Sequence, residues 1–203
     1  GKYIREIGKN LYAWSYAHAV RIDKDDNIWV VDKGSDMILK MNPQGRVVWV
    51  FGRKGEASHF MTPPDYASTL TGLLNRAGVA ITVPPNNNPR NPVPVHRDNV
   101  FNQPTDVAWD SQGNSYFSDG YVNSRVGKVN ARGEWVASWG SLGTGPGQFD
   151  TPHGIAISPK DEIFVADRGN RRIQVLDTSG KYLREFTIDV PVAGAETRES
   201  LET

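Results

Sequence analysis

The chain has 203 residues, and its 23 lysines and arginines balance 23 aspartates and glutamates, which gives a formal net charge of zero. This balance excludes a global electrostatic field that would attract nucleic acid, an anionic membrane or an acidic substrate. Cysteine is absent, so histidines and carboxylates would have to hold any metal ion. No apolar run reaches the roughly 18 residues that a membrane-spanning helix needs.

Three segments of the sequence repeat one pattern, at residues 16–52, 103–140 and 151–187. Each segment reads as four short strands, rich in Val, Ile, Trp, Tyr and Phe with period-two alternation, separated by Asp, Gly and Asn turns. An aspartate closes each second predicted strand and a glycine lies in each last hairpin, namely Asp32, Asp119, Asp167, Gly45, Gly133 and Gly180. Four strands per repeat predict an all-β fold in which each repeat is one blade of a β-propeller.

The remaining segments flank these repeats. Residues 1–8, GKYIREIG, copy GKYLREFT at 180–187 and are predicted to be the outer strand of a preceding blade. Residues 53–100 hold most of the prolines and predict an irregular insertion, read either as a disordered segment or as a substrate-side lid. Within it, 69–83 is the one stretch able to form a short helix or strand. The polar tail at 188–203 resembles a linker, so the chain is predicted to be a single partial propeller.

Candidate metal ligands lie at the start of the first predicted strands, at His18 and His153, where the middle repeat has Thr105. The first strand of each blade lines the central channel, so equivalent residues form a ring around the axis. The two histidines are two blades apart, and a third histidine two blades further on would complete a three-histidine site with one open position, as in catalytic zinc centres. The alternative is a structural role at the channel rim. His59 and His96 lie in the insertion and are predicted to be solvated.

The middle repeat has one extra residue in DGYVNSRV, which predicts that the phenol of Tyr121 projects from its turn. A tyrosine has an ordinary pKa of about 10, so a base near neutral pH needs a neighbouring cation or metal. Arg168 stands at the equivalent turn of the next repeat and could supply that charge. The alternatives are a surface aromatic for Tyr121 and a salt bridge from Arg168 to Asp119.

The stretches VFNQPTDVAWD, FSDGYVNSR, PGQFDTPHGIAI and VADRGNRRIQV resemble successive parts of the peptidyl-α-hydroxyglycine α-amidating lyase family. The resemblance covers roughly residues 16–186 and implies a six-bladed NHL-type β-propeller, of which this chain supplies three complete blades and a strand of a preceding blade. Features such as AD-x-x-N-x-RIQ specify only the NHL fold. The combination of DGYVNSR with the two histidines is more specific.

The resemblance also implies the roles of individual residues. His18 and His153 would be zinc ligands, Tyr121 the catalytic base and Arg168 a site arginine, while the backbone of Val20 would help to bind a structural calcium. The implied reaction is cleavage of the carbon–nitrogen bond of a peptidyl-α-hydroxyglycine, which yields a peptide amide and glyoxylate. Zinc would lower the pKa of the substrate hydroxyl, and the tyrosine would remove its proton. The implied location is secreted or periplasmic.

The family's third histidine and a further catalytic arginine belong to blades outside these residues, so the lyase site is predicted to be incomplete here. One alternative is a non-catalytic NHL scaffold that binds a peptide or protein across its channel face. Another is a calcium-dependent lactonase, although such propellers rely on carboxylates and asparagines at the channel. The expected partners are a peptide substrate or protein ligand at the channel face and a second copy associating through open blade edges, with no nucleic acid and no membrane span.

Overall fold

The computed structural model describes residues 1–54 and 98–188. In these residues twelve β-strands form three antiparallel four-stranded sheets, blades 1 to 3, with each strand paired to its neighbours in sequence. Blade 1 contains β1 (Ala17–Ile22), β2 (Ile28–Asp32), β3 (Met37–Met41) and β4 (Val47–Gly52); blade 2 contains β5 (Asp106–Trp109), β6 (Ser115–Asp119), β7 (Arg125–Val129) and β8 (Trp135–Trp139); blade 3 contains β9 (Pro152–Ile157), β10 (Ile163–Asp167), β11 (Arg172–Leu176) and β12 (Tyr182–Thr187). The prediction of an all-β fold with three complete four-stranded blades is therefore confirmed.

The segments outside the blades differ in how far the structure describes them. Of the predicted insertion, only residues 53–54 and 98–100 are described, so its lid interpretation, the stretch 69–83, His59 and His96 lie outside the described residues, as does the tail beyond residue 188. Within the described ranges there is no helix with the length and hydropathy of a membrane span.

Residues 1–7 have no strand assignment. Their prediction as the outer strand of a preceding blade stays a prediction. The segment contacts blade 1. The guanidinium of Arg5 donates to the carbonyl oxygen of Pro43 at 2.8 Å, and Ile7 packs against a cluster that includes the buried Leu39 and Met41.

The hydrophobic core lies between the blades. Trp29, Val31 and Ile38 of blade 1 pack against Val107 and Phe117 of blade 2. A second cluster joins blade 2 to blade 3. Successive side chains of a strand point to opposite faces, so Tyr116 packs towards blade 3 while Phe117 packs towards blade 1. The alternation seen in the sequence therefore buries both faces of blade 2.

The hairpins between the first and second strands repeat one hydrogen-bonding pattern. The carboxylate of Asp23 accepts the backbone N–H groups of Asp25 and Asn27. In blade 2 the carboxylate of Asp110 accepts the backbone N–H groups of the residues two and four positions later. In blade 3 the hydroxyl of Ser158 accepts the equivalent two N–H groups. Short polar side chains stabilise turns in this way because they satisfy N–H groups that no strand partner reaches.

The aspartates that close the second strands, Asp32, Asp119 and Asp167, are fully buried. The register places Arg125 opposite Asp119 and Arg172 opposite Asp167, and these residues form ion pairs at 3.0 and 2.8 Å. In blade 1 the residue opposite the aspartate is Met37. There Asp32 accepts backbone N–H groups from Ser15, Tyr16 and Ser35.

Candidate functional site

The two predicted metal ligands occupy equivalent irregularities of their sheets. In the pairing of β1 with β2, Ala17 lies opposite Asp32 and Ala19 opposite Val31, so His18 is the extra, unpaired residue of a β-bulge. In the pairing of β9 with β10 the register shifts in the same way, and His153 is the extra residue. A β-bulge re-aims a side chain and is frequent beside functional sites. Both imidazoles are thereby turned towards the same point.

That point is the hydroxyl of Tyr121. Its oxygen lies 3.3 Å from Nε2 of His18 and 2.9 Å from Nε2 of His153, and the two imidazole ring centroids are 4.8 Å apart. The Nδ1 atom of His18 lies 2.8 Å from the carbonyl oxygen of Thr105. A carbonyl oxygen can only accept, so Nδ1 carries the proton and Nε2 keeps its lone pair. One residue from each blade thus meets in a single cluster.

A close approach of two backbones brings Tyr121 to His153. The turn after β6 begins at Gly120, where a Cβ atom would lie only 1.8 Å from the carbonyl oxygen of Pro152. Glycine therefore allows the turn of blade 2 to lie directly against the start of β9. Tyr121 follows directly, and its hydroxyl lies 2.9 Å from Nε2 of His153. Tyr121 is half-buried rather than a free surface aromatic.

Two buried polar residues of blade 2 form hydrogen bonds to the first strands of blades 1 and 3. The hydroxyl of Thr105, which is fully buried, lies 2.9 Å from the carbonyl oxygen of Pro152, while its own carbonyl group binds His18. The carboxylate of Asp106, which is 3% exposed, accepts hydrogen bonds from the guanidinium of Arg21 at 2.7 Å and from the backbone N–H of Ile155 at 3.3 Å. Strands β1, β5 and β9 are therefore tied together directly behind the histidines.

The immediate surroundings of the cluster carry positive charge. The ammonium of Lys33 lies 3.6 Å from the centroid of the Tyr121 ring, and Arg168 is exposed at the turn that follows β10. Burial lowers the pKa of His153 below its ordinary value, and the charges of His18, Arg168 and Lys33 lower it further, while Asp106 opposes them. The imidazole of His153 is thus held neutral, as a metal ligand or hydrogen-bond acceptor must be.

The alternative role considered for Arg168, a salt bridge to Asp119, is not found in the structure. Asp119 lies within blade 2 and pairs with Arg125, whereas Arg168 lines a cleft of about 510 Å³ together with His153, Arg171 and Arg172. A guanidinium exposed in a cleft beside an imidazole is suited to bind an anionic group. This position is compatible with the role that the family resemblance implies for Arg168.

The described residues test the metal predictions only in part. In residues 1–54 and 98–188, no three His, Cys, Asp or Glu side chains cluster as a metal site. The Nε2 atoms of His18 and His153 face the same hydroxyl group, and their role as zinc ligands stays a prediction. The carbonyl oxygen of Val20, predicted to bind calcium, lies 3.4 Å from a guanidinium nitrogen of Arg21. The contribution of Val20 to a calcium site stays a prediction.

Sequence reasoning found His18, Tyr121 and His153 and missed Lys33 and Asp106. The lysine follows the closing aspartate of β2 at the same place at which Arg168 follows Asp167, so comparison of the repeats position by position would have revealed it. The aspartate carries no such signal, because its contacts with β1 and β9 depend on how neighbouring blades pack.

Comparison with known proteins identifies the class of fold. The NHL repeat family matches residues 149–176, which include β9 and β10 and end with β11. Together with the three four-stranded sheets, this match defines the chain as an array of NHL-type β-propeller blades. A solved streptogramin B lyase superposes with a TM-score of 0.51 at 14% identity, over 85% of this chain and 41% of that chain. At this identity the likeness concerns the fold alone.

The relatives point to the amidating enzymes. The chain is 33% identical over 190 residues to rat peptidylglycine alpha-amidating monooxygenase, covering 90% of this chain and 16% of the relative. It is 24% identical over 196 residues to Drosophila melanogaster peptidyl-alpha-hydroxyglycine alpha-amidating lyase 1, covering 92% of this chain and 29% of that protein. Mouse NHL repeat-containing protein 3 is 28% identical over 194 residues, with coverages of 88% and 45%. The chain is thus an NHL-repeat protein related to amidating lyases and spans less than half of each relative.

Proposed function

We propose that the cluster of His18, Tyr121 and His153 is part of the site of a zinc-dependent carbon–nitrogen lyase that cleaves peptides ending in α-hydroxyglycine. The observation that carries this proposal is the convergence of two imidazole Nε2 atoms, from two blades, within 3.3 and 2.9 Å of one phenol oxygen from the blade between them. Similarity to amidating enzymes over about nine-tenths of the chain supports the substrate class.

The residues fit the metal that the resemblance implies. His18 presents Nε2 as a lone-pair donor because Thr105 holds the proton on Nδ1, and an imidazole oriented in this way is typical of zinc ligands. His153 is kept neutral by its surroundings. A catalytic zinc generally has three protein ligands and one open position, so we place one further ligand outside the described residues. Bound zinc would supply a Lewis acid that makes the substrate hydroxyl more acidic.

The chain's own residues account for the proton transfers. Tyr121 acts as the base that takes the proton from the hydroxyl of the α-hydroxyglycine, and the oxygen electrons form the carbonyl group of glyoxylate. The carbon–nitrogen bond breaks with its electron pair moving to nitrogen, which takes a proton and becomes the amide. One proton is removed and one is returned, so no external reductant or oxidant is needed. Arg168, exposed in the cleft beside His153, stabilises negative charge during these steps.

The second candidate is a non-catalytic NHL scaffold that binds a peptide or protein at the channel face. It is favoured by the similarity to NHL repeat-containing protein 3, whose name states no activity. A structural calcium near Val20, self-association with a second copy through open blade edges and a secreted or periplasmic location remain predictions. The lysines and arginines near the cluster suit an anionic ligand in either case.

The proposal is tested by assaying glyoxylate release from a peptide ending in α-hydroxyglycine in the presence of zinc. The Tyr121→Phe variant keeps the ring but loses the proton acceptor, and we expect it to slow release by about 10²- to 10⁴-fold. The matched control is Tyr3→Phe, which changes an exposed tyrosine in the segment before blade 1. Unchanged turnover in Tyr121→Phe would remove this residue from the mechanism.

Zinc content measured after equilibrium dialysis provides a second test of the site. The double variant with His18→Ala and His153→Ala is expected to lose the zinc that the wild-type protein retains, because each change removes one imidazole nitrogen. Peptide binding without zinc and without glyoxylate release would favour the scaffold.

A further inference from the structure

Lys33 is a cation of the site that the proposed chemistry does not yet use. It is the first residue after β2, and its ammonium lies 3.6 Å from the ring centroid of Tyr121 and 5.4 Å from that of Tyr16. Its backbone N–H donates to the carbonyl oxygen of Tyr16 at 2.9 Å, which holds the turn in place. In the part of the chain that the structure describes, no carboxylate forms an ion pair with its ammonium.

Lys33 differs from Lys40 and Lys128, the other lysines of blades 1 and 2 with aromatic contacts, because its ammonium has neither a carboxylate nor a carbonyl partner among the described residues. Lys128 lies over Tyr116 and donates to the carbonyl oxygen of Thr178 at 2.9 Å. Lys40 lies over Trp29 and Trp49, and it also pairs with Asp23 at 3.4 Å. Its charge is therefore compensated within the fold. Lys33 has only the faces of two tyrosine rings, and a half-buried ammonium without an anion is costly. An anionic ligand would compensate its charge.

The position of Lys33 brings such a ligand to the reacting groups. Lys33 follows Asp32 in blade 1 and Arg168 follows Asp167 in blade 3, so the two cations flank the blade that carries Tyr121. The ring of Tyr121 contacts the Lys33 ammonium, and its hydroxyl contacts both histidines. A carboxylate bound by Lys33 would therefore lie beside the tyrosine and the two histidines.

We propose that Lys33 binds the terminal carboxylate of the peptide ligand and selects peptides that end in a free acid. The inference rests on the proposed function for its substrate, because α-hydroxyglycine at a peptide terminus carries a carboxylate next to the carbon that reacts. A Lys–carboxylate contact is a charge-assisted hydrogen bond. Lys33 thereby acts as a specificity residue, and the proton transfers remain with Tyr121.

Binding is measured with two fluorescein-labelled tripeptides, one ending in glycine with a free carboxylate and the other ending in glycine amide. Neither peptide carries the α-hydroxyl group, so neither is cleaved and the measurement is independent of turnover. We expect the wild-type protein to bind the acid roughly 10- to 100-fold more tightly than the amide, the range that one hydrogen bond to a charged group provides. This preference should weaken as salt concentration rises.

Variants separate the charge of Lys33 from its packing. Lys33→Met keeps the length and the apolar contact with Tyr121 and is expected to abolish the preference for the acid, whereas Lys33→Arg retains most of it. Lys160→Met is the matched control, because it removes one exposed lysine from the far hairpin of blade 3 and should change nothing. Thermal unfolding of each variant checks that the fold is intact.

The outcomes also separate this inference from the proposed function. Equal affinity of the wild-type protein for acid and amide, binding of neither peptide, or an unchanged preference in a folded Lys33→Met variant overturns the role of Lys33. A preference that depends on Lys33, in a protein that releases no glyoxylate, supports the carboxylate site and contradicts the lyase. When turnover is measured, Lys33→Met is expected to raise KM more than it lowers kcat.

Discussion

The two ends of the blades are built from the same strands but differ in how strictly they repeat. At the turn edge, formed by the hairpins 23–27, 110–114 and 158–162, a short polar side chain in each blade accepts the same two backbone N–H groups. At the site edge, where first strands begin and second strands end, the blades differ. The equivalent positions hold His18, Thr105 and His153, and the next turns present Lys33, Tyr121 and Arg168.

The difference indicates which residues serve the fold and which serve the ligand. A repeated hydrogen bond contributes to every blade in the same way, so it identifies a structural role. A residue that differs from its equivalents in the other blades, while the strands around it keep their register, is not needed for the blade structure and can contact a ligand. The site edge contains both kinds, because the buried aspartates repeat there while the residues exposed beside them do not.

The largest expected effect comes from making blade 3 resemble blade 1. Arg172→Met introduces the residue that blade 1 has at this register position, Met37. Asp167 would remain buried without its 2.8 Å ion pair, and the carbonyl oxygens of Thr144, Gly145 and Gln148 would each lose one donor. We expect the free energy of unfolding to fall by about 3–5 kcal/mol.

Chemical denaturation measures this loss, and Met37→Leu provides the control. The methionine packs without an ion pair, so a change to leucine should cost less than about 1.5 kcal/mol. Similar losses in the two variants would show that the arginine contributes no more than its hydrophobic volume.

Thr105→Val tests whether the fold of blade 2 sets the distance between the histidines. Valine has nearly the same shape but no hydroxyl, so the carbonyl oxygen of Pro152 would lose its 2.9 Å partner while the carbonyl group that binds His18 remains. We expect a stability loss of about 1–3 kcal/mol together with weaker zinc binding, because His153 follows Pro152 directly. Thr105→Ser should restore both properties. Zinc binding that is unaffected by valine would separate this residue from the site.

Sequence reasoning predicted the repeated parts of the fold better than the contacts between blades. Period-two alternation and turn residues were enough for the three four-stranded sheets, because each strand pairs with its neighbour in the chain. Register between repeats also indicated His18 and His153. The position of Lys33 in the repeat would have indicated this residue, but its contact with the ring of Tyr121 and that of Asp106 with β9 could not be predicted, since these contacts depend on the twist and spacing of adjacent sheets. The outer strand expected at residues 1–8 stays a prediction.

Substitution of Asp36 is expected to have a smaller effect on the free energy of unfolding, and to raise it rather than lower it. Burial raises the pKa of Asp36 from its ordinary value near 3.8 to about 6, and the nearby carboxylates of Asp119 and Asp32 add to this, although the N–H of Gln103 opposes them. A pKa raised by folding contributes stability that is fully present below about pH 4 and is lost as the pH rises through about 6. At pH 8 the charged side chain of Asp36 therefore destabilises the folded state.

Asp36→Asn is expected to raise the free energy of unfolding by about 1–2 kcal/mol at pH 8, after allowance for solvent screening, and by little at pH 4. Asparagine tolerates the positive φ of 57° found here and can still accept the N–H of Gln103. Denaturation curves of both proteins across this pH range measure the difference. A gain that is equal at both pH values would contradict a titration of Asp36.

The smallest effect is expected at the turn edge, where Ser158→Ala removes the two 3.2 Å hydrogen bonds from the backbone N–H groups of Lys160 and Glu162. Both groups lie near solvent, and water can replace the hydroxyl, so we expect a loss of only about 0.5–1 kcal/mol. Zinc content and the preference for acid peptides should not change, because the hairpin lies at the far end of blade 3 from His153. A loss of zinc in this variant would show that the two edges are coupled through the strands and that a departure from the repeat does not by itself identify a residue of the site.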